Sequence, residues 1–347
     1  MRRFVLELWP CRRGRFLACV TVALLTFLAF PSLAKEHAVR TQHLQLQAGW
    51  HAIFLEVTPA ANRPEEIFAD SPVDVVAAYF APASTIQFIQ DPSEEPWNRP
   101  GWAVWYAEDR PESALSDLEA VLGNFPYLVH ARAQTDLLIE GRVQHHTARW
   151  KANSFNLVGF CVDPQNRPSF ADYFAGSTAQ DLNRLYQLVN GTWQRVAAPT
   201  AARIEPGRAY WIYCRGRSSY QGPVALARAN IGNIDFRDTG DTVTLQFKNT
   251  SPVEQTVTAE MIPADGLPLT TVATDYTKMK VVHTPLQSGA VLLNLPPQTS
   301  RNCRLHLRRE QMTKREQAAA LRVTATGGSV HWIPLHAIRS DQAAESD

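Results

Sequence analysis

Apolar and polar residues alternate along much of this chain, most clearly in Gly49-Trp50-His51-Ala52-Ile53-Phe54-Leu55-Glu56-Val57-Thr58-Pro59. Ile53, Leu55 and Val57 share one face of an extended strand, and Pro59, which cannot donate to a ladder, ends it. The chain writes the run again as Ser154-Phe155-Asn156-Leu157-Val158-Gly159-Phe160-Cys161-Val162-Asp163-Pro164. Asn-Arg-Pro follows both copies (62–64 and 166–168), and each segment then ends in Phe-Ala, at Phe68 and Phe174. That pattern predicts a turn leading into one helical turn, and the pair of runs marks a duplication.

Further strands are predicted in the first copy at 73–80, at 85–90 with Ile86 and Phe88 on one face, at 101–106, at 126–130 and at 137–141. Leu115, Leu118 and Leu122 stand at helical spacing behind Ser113, a residue suited to cap a helix, so a short helix is predicted within 110–122. The second copy runs in the same order. Leu182–Val189 matches the strand at Val73, with Tyr186 set against Tyr79, and Asn190-Gly191 is a hairpin turn into Trp193. Ala209–Tyr213 answers the strand at Tyr127, and Gly222-Pro223-Val224 answers Gly141-Arg142-Val143. The first copy is longer, and its extra residues fall mostly in 91–122, where a loop tolerates insertion.

From about residue 230 the texture changes to seven short strands separated by turns, at 242–247, 253–262, 278–283, 290–295, 302–307, 319–324 and 329–336, the spacing of an immunoglobulin-like sandwich. Residues 308–317 are a charged connection with helical character. The fold class is therefore all-β: two tandem homologous β modules with short helices inserted, followed by an immunoglobulin-like β-sandwich. The expected boundaries are 1–34, 35–143 and 144–228 for leader and modules, 229–340 for the sandwich and 341–347 for a polar tail. Tandem copies that cannot bury their apolar faces alone pack together.

The start of the chain changes the picture of where it works. Arg2, Arg3, Arg12, Arg13 and Arg15 precede an uncharged run from Phe16 to Phe30, followed by Ser32-Leu33-Ala34. This is the pattern of a secretory signal peptide cut after Ala34, and the run is short of the roughly 20 residues a membrane span needs. No membrane span is expected after cleavage. Cleavage leaves Cys161, Cys214 and Cys303, too few for a disulfide framework. Cys161 and Cys214 are candidates to bond across strands in an oxidising compartment, or else separate buried hydrophobes. With 34 basic against 33 acidic residues there is no electrostatic footprint for nucleic acid.

The repeat, read as glycine, an aromatic residue, Asn or His, then an apolar alternation closing on Val-x-Pro or its like, resembles a module of uncharacterised exported bacterial proteins. Those carry tandem Gly-Trp-Asn-type β modules followed by an immunoglobulin-like sandwich. The resemblance covers about 44–226 and implies no catalytic residues. His51 departs from it where Asn156 keeps it, as does Glu56, where a small or polar residue is common.

Chemistry is sparse. No Gly-x-Ser-x-Gly elbow or phosphate-cradling glycine loop occurs, and Gly327-Gly328-Ser329 reads as a hairpin turn. His145 and His146 are adjacent and would point to opposite faces of a strand, so a solvated connector is the expectation over a metal site. Asp91, Glu94 and Glu95 match no calcium loop. Glu108, Asp109 and Glu112 beside Trp102, Trp105 and Tyr106 have the residue types of a sugar-cleaving site, which needs two carboxyl groups across a cleft. The same rings, with Trp97, also suit sugar stacking. Strand alternation offers a plainer account, with Trp102, Val104 and Tyr106 inward and Trp105 toward solvent.

The expected function is a secreted, non-enzymatic structural or interaction protein of the cell envelope or exterior, whose partner is a protein or polysaccharide at the cell surface. No cofactor and no metal are expected. The alternative is carbohydrate binding by Trp97, Trp102, Trp105, Tyr106 and Glu108, and glycoside hydrolysis stands behind both.

Overall fold

A computed structural model describes residues 37–81, 91–92, 101–226, 233–275 and 277–339. The leader, the tail, Trp97, Glu94, Glu95 and the strand expected at 85–90 lie outside the described residues. Those described in the first module form β1 (Val39–Leu46), β2 (Gly49–Leu55), β3 (Val57–Pro59), α1 (Pro64–Ile67), β4 (Val73–Tyr79), β5 (Trp102–Tyr106), β6 (Phe125–Ala131) and β7 (Thr135–Val143). The second module supplies β8 (Ser154–Gly159), α2 (Phe170–Tyr173), β9 (Gln180–Val189), β10 (Thr192–Arg195) and β11 (Ala209–Cys214).

The duplication is visible in the strand order. The first module's larger sheet runs β2-β6-β4-β5 and the second's runs β8-β11-β9-β10, the same succession of equivalent strands. Gly49 pairs with Ala131 as Ser154 pairs with Cys214, so the registers also correspond. Each copy has its helical turn after Asn-Arg-Pro, closed by Phe68 or Phe174. In the second, Ser169 caps it by accepting from the Asp172 amide at 3.0 Å. Asn190 and Gly191 both take positive φ, 49° and 77°, the backbone of a type I′ hairpin between β9 and β10.

Each sheet is buried on both faces. In the first module one face packs on the three-stranded sheet β1-β7-β3 through Leu46, Ile53, Leu55, Val76, Tyr127 and Val129. In the second, Phe160, Phe170, Tyr173 and Phe174 cover one face over Leu185 and Ile212. The remaining faces meet: Val75, Ala77, Tyr79 and Leu128 pack with Phe155, Leu157, Trp193 and Trp211 in a single cluster. Burying a large apolar side chain stabilises by about 1.5–3 kcal/mol, so this shared cluster is a core element of both copies. The described residues form one compact unit.

The sandwich comprises β12 (Val224–Leu226), β13 (Ile234–Asp235), β14 (Thr242–Asn249), β15 (Gln255–Ile262), β16 (Leu269–Asp275), β17 (Lys280–Pro285), β18 (Ala290–Leu295), β19 (Ser300–Leu307), β20 (Glu316–Ala325) and β21 (Val330–Ile338). Two five-stranded sheets, β12-β14-β19-β16-β17 and β13-β21-β20-β15-β18, close over Leu245, Phe247, Val257, Leu305, Leu321 and Ile333. All seven expected strands are present; β12, β13 and β16 are additional. β12, read in sequence as the counterpart of the strand ending at Val143, instead pairs with β14 and joins the sandwich.

Two local expectations are corrected. Residues 110–122 hold one 3-10 turn, Ser113–Leu115, in place of a helix, and Leu115 is 72% exposed. The chain there lies along the free edge of β5: Asp117 and Ser116 side chains accept from the amides of Val104 and Tyr106 at 2.6 and 3.0 Å. Those bonds require the segment to stay extended. Tyr186 is not the counterpart of Tyr79, because a register shift in β9 between Asp181 and Leu185 adds residues. Matching the ladders sets Tyr79 against Leu188 and Trp102 against Trp193.

Candidate functional site

The residues expected to form a binding platform are divided by the pleat of β5. Trp102, Val104 and Tyr106 belong to the inter-module cluster, and Ala103 and Trp105 pack on the opposite core. The Trp102 ring lies 5.3 Å from Tyr79 and 6.4 Å from Trp211. Trp105 lies 6.0 Å from Phe68. The sequence reading placed these rings where the second copy has no equivalent. Trp102 does have one, Trp193, which meets the same Trp211 at 6.2 Å.

Trp105, Tyr106 and Glu108 nevertheless line one cleft of the first module, together with Glu65, Asp109 and Arg132. Arg132 binds Asp109 in a two-pronged pair, with Nη2 at 2.7 Å from Oδ1, and the hydrogen bonds hold the carboxyl below its ordinary pKa. Arg110 does the same to Glu112 through a 3.2 Å bond. A general acid for glycoside hydrolysis needs the opposite shift, one that keeps a proton on the carboxyl. Asp109 and Glu112 are thus fixed as ionised partners of arginines.

Behind the cleft lies an ion-pair site that sequence reasoning missed. Asp74, at the register shift of β4, accepts from Arg110 Nη1 at 2.7 Å and Arg132 Nε at 3.0 Å, and contacts His130 Nδ1 at 2.5 Å. The second module repeats it: Asp181 accepts from Arg184 Nε at 2.8 Å and Arg215 Nη2 at 2.7 Å. Both side chains are 5% exposed. Burial opposes each negative charge, but the donated bonds outweigh it, and both carboxyls are shifted down. The signal was present in sequence, since an Asp opening the third element and an Arg just beyond the strand at Ala131 or Cys214 recur in both copies. The duplication of this latch marks it as structural.

Glu56 is the carboxylate that burial pushes upward, against the pull of Arg40 2.5 Å away. It sits in a cleft where β1, the connection after β8 and the sandwich converge. There Arg40 lies 4.3 Å over the Trp332 ring and Arg322 reaches both Glu260, at 2.6 Å, and Asp163, at 3.2 Å. Glu56 therefore belongs to the docking of modules on sandwich.

His145 and His146 are not a solvated connector. His145 lies 5.6 Å from the ring of buried His331, while His146 turns its ring to Phe54 at 5.1 Å. Burial lowers all three pKa values, to about 4 for His146 and His331. Among the described residues no group of three His, Cys, Asp or Glu side chains is arranged to hold a metal.

Cys161 and Cys214 are free, buried thiols, so the bond considered from sequence is not formed. The antiparallel register explains it. Cys214 stands opposite Ser154 and Ala209 opposite Gly159, which puts Cys161 beyond the far end of β8. At about 3.3 Å per residue that separation exceeds the roughly 7 Å limit between bonded Cα atoms.

Exposed apolar side chains gather on one side of the sandwich. Every residue of β17 is exposed, Val281 at 61% and Val282 at 43%, as are Met279 just before it and Val291 on β18. β17 and β18 are each an edge strand of their own sheet, and Leu286, just after β17, and Leu292 and Leu293 of β18 are only partly buried.

No family model and no curated protein matches the chain. Among solved structures, the chaperone–tip adhesion subunit pre-assembly complex of the archaic Csu pili of Acinetobacter baumannii is 14% identical, over 30% of this chain and 48% of that one, at TM-score 0.20. The class 5 fimbriae chaperone CfaA is 10% identical over 34% and 57%, at 0.22, and the PapD-like domain 7 of human CEP192 is 10% identical over 34% and 85%, at 0.22. The chain spans about half the length of the first two, and at these scores the likenesses carry no function to it.

Proposed function

We propose that this is an exported, non-enzymatic interaction protein, in which two fused β modules brace a sandwich whose open side receives a protein partner. The observation that carries the reading is the distribution of apolar surface. The module aromatics cement one sheet to another, while exposed valines and Met279 gather at β17 and β18. Such a patch on a folded surface marks an interaction site. Export is supported by the arginine-flanked apolar run and Ser32-Leu33-Ala34. A photo-crosslinking residue at Val291, introduced in the source cells, should trap a discrete protein, while the same probe at Leu115 traps none. Equal trapping at both positions, or none at either, contradicts the reading.

A second reading, carbohydrate binding, is favoured by the cleft shared by Trp105, Tyr106 and Glu108. It requires glycan binding that Trp105→Ala and Glu108→Gln abolish in a protein that still folds.

A further inference from the structure

We infer that the partner on the β17 edge is a second copy of this chain, joined by antiparallel pairing of β17 with β17 about a two-fold axis at Val282; this rests on the interaction reading above and names its occupant. An edge strand presents unpaired backbone groups, and folded proteins blunt such edges with bulges, charges, prolines or covering segments. The edge of β5 is covered by Asp117 and Ser116, and β18 carries a register shift against β15. β17 pairs with β16 in unbroken register over its whole length, without a bulge. Its only blunting residues, Lys280 and Pro285, stand at its two ends.

The ladder fixes which groups are free. Leu286 donates to Leu269 at 2.9 Å, making that an inward-bonded pair, and antiparallel pairs alternate between bonded and unbonded. Thr284 and Val282 therefore bond inward to Thr271 and Ala273, while Val281 and His283 turn N–H and C=O outward. Pro285 falls in an outward position, where its missing N–H leaves no gap in the native sheet.

Set against itself about Val282, the strand is self-complementary. Val281 of each copy exchanges both bonds with His283 of the other, four backbone bonds in all. Val282 meets Val282 as a close, unbonded pair, and Lys280 meets Thr284, so no like charges are opposed. The two sheets that contain β17 then continue across the axis as one, and a closed, isologous dimer results.

The test uses the purified protein. Sedimentation equilibrium over a wide dilution series should show a reversible dimer, and Val282→Lys, which places two ammonium groups on the axis, should give a monomer whose thermal unfolding curve matches that of the parent at dilutions where the parent is itself monomeric. Val282→Cys should form an inter-chain disulfide under mild oxidation, because an unbonded antiparallel pair brings its Cα atoms within bonding range. Leu115→Cys should not. A protein that is monomeric at every concentration and yields no Val282→Cys dimer overturns the inference. Trapping of a different protein at Val291 in that case leaves the interaction reading standing, so the two failures are told apart.

Discussion

Trp102 and Trp193 hold the same place in the two copies of the sheet, and both close on the indole of Trp211, at 6.4 and 6.2 Å. One ring of the second module thus anchors a tryptophan from each copy. Trp211 is 3% exposed. Trp211→Ala should lower stability by about 3–5 kcal/mol, the usual loss for truncating a core aromatic. Urea unfolding followed by far-UV circular dichroism would show it, with both modules losing structure in one transition.

The paired latches at Asp74 and Asp181 predict acid sensitivity. Their folded pKa values lie below the ordinary 3.8. The unfolded chain therefore binds more protons as pH falls, and the stabilisation, complete above the unfolded value, is lost through the folded one. Asp74→Asn should remove part of this dependence. It should also destabilise at neutral pH by about 1–3 kcal/mol, because Arg110 and Arg132 lose charged hydrogen bonds to a buried acceptor while keeping Glu112 and Asp109. Urea midpoints between neutral and acid pH, compared with those of the parent, measure both effects.

His331 acts in a higher pH window. Burial lowers its pKa from 6.5 to about 4, and Nε2 lies 2.8 Å from the Val224 carbonyl. The unfolded chain takes up its proton first, so stability from this group is present above 6.5 and falls as pH drops toward 4. His331→Gln keeps a donor for Val224 and should flatten the stability profile within that window. An unchanged profile would assign the dependence to other groups.

Thiol titration separates two accounts of the cysteines. Cys161, Cys214 and Cys303 are buried and free, and burial raises each pKa, to about 11 for Cys303. In a protein prepared from Lys35 onward no thiol should react with a disulfide reagent under native conditions, and all three should react after unfolding without reductant. A single reactive thiol would mean that Cys161 and Cys214 are joined.

Gly328 tests the contact between hairpin and module. It takes φ of +79°, and a Cβ there would stand 2.4 Å from the Asn166 carbonyl oxygen. Gly328→Ala should therefore destabilise by more than the ~1 kcal/mol of a left-handed residue alone. Thermal unfolding of the variant is the measurement.

Much of the fold was legible because its strands alternate and repeat. Ile53, Leu55 and Val57 announce β2 and its continuation, and the sandwich follows from seven short strands regularly spaced between turns. What misled was local spacing without its partners. Leu115, Leu118 and Leu122 have a helical period, yet the segment is drawn out by bonds from the free edge of β5 to Asp117 and Ser116. The extra residues between Asp181 and Leu185 could not be placed from one sequence, so Tyr186 was set against Tyr79 and Trp193 was not matched with Trp102. Of the candidate site, alternation foretold that Trp102 turns inward. The latch at Asp74 stayed hidden because its arginines come from elements far apart in the chain.

Trp102 of β5 joins the two modules, closing on Tyr79 of its own sheet and on Trp211 of the other. Urea unfolding of Trp102→Ala, run beside a glycan array of parent and variant, tests it most directly. The expected result is a variant destabilised by several kcal/mol and no glycan bound by the parent through this ring. A variant as stable as the parent that has lost a glycan the parent binds would contradict it.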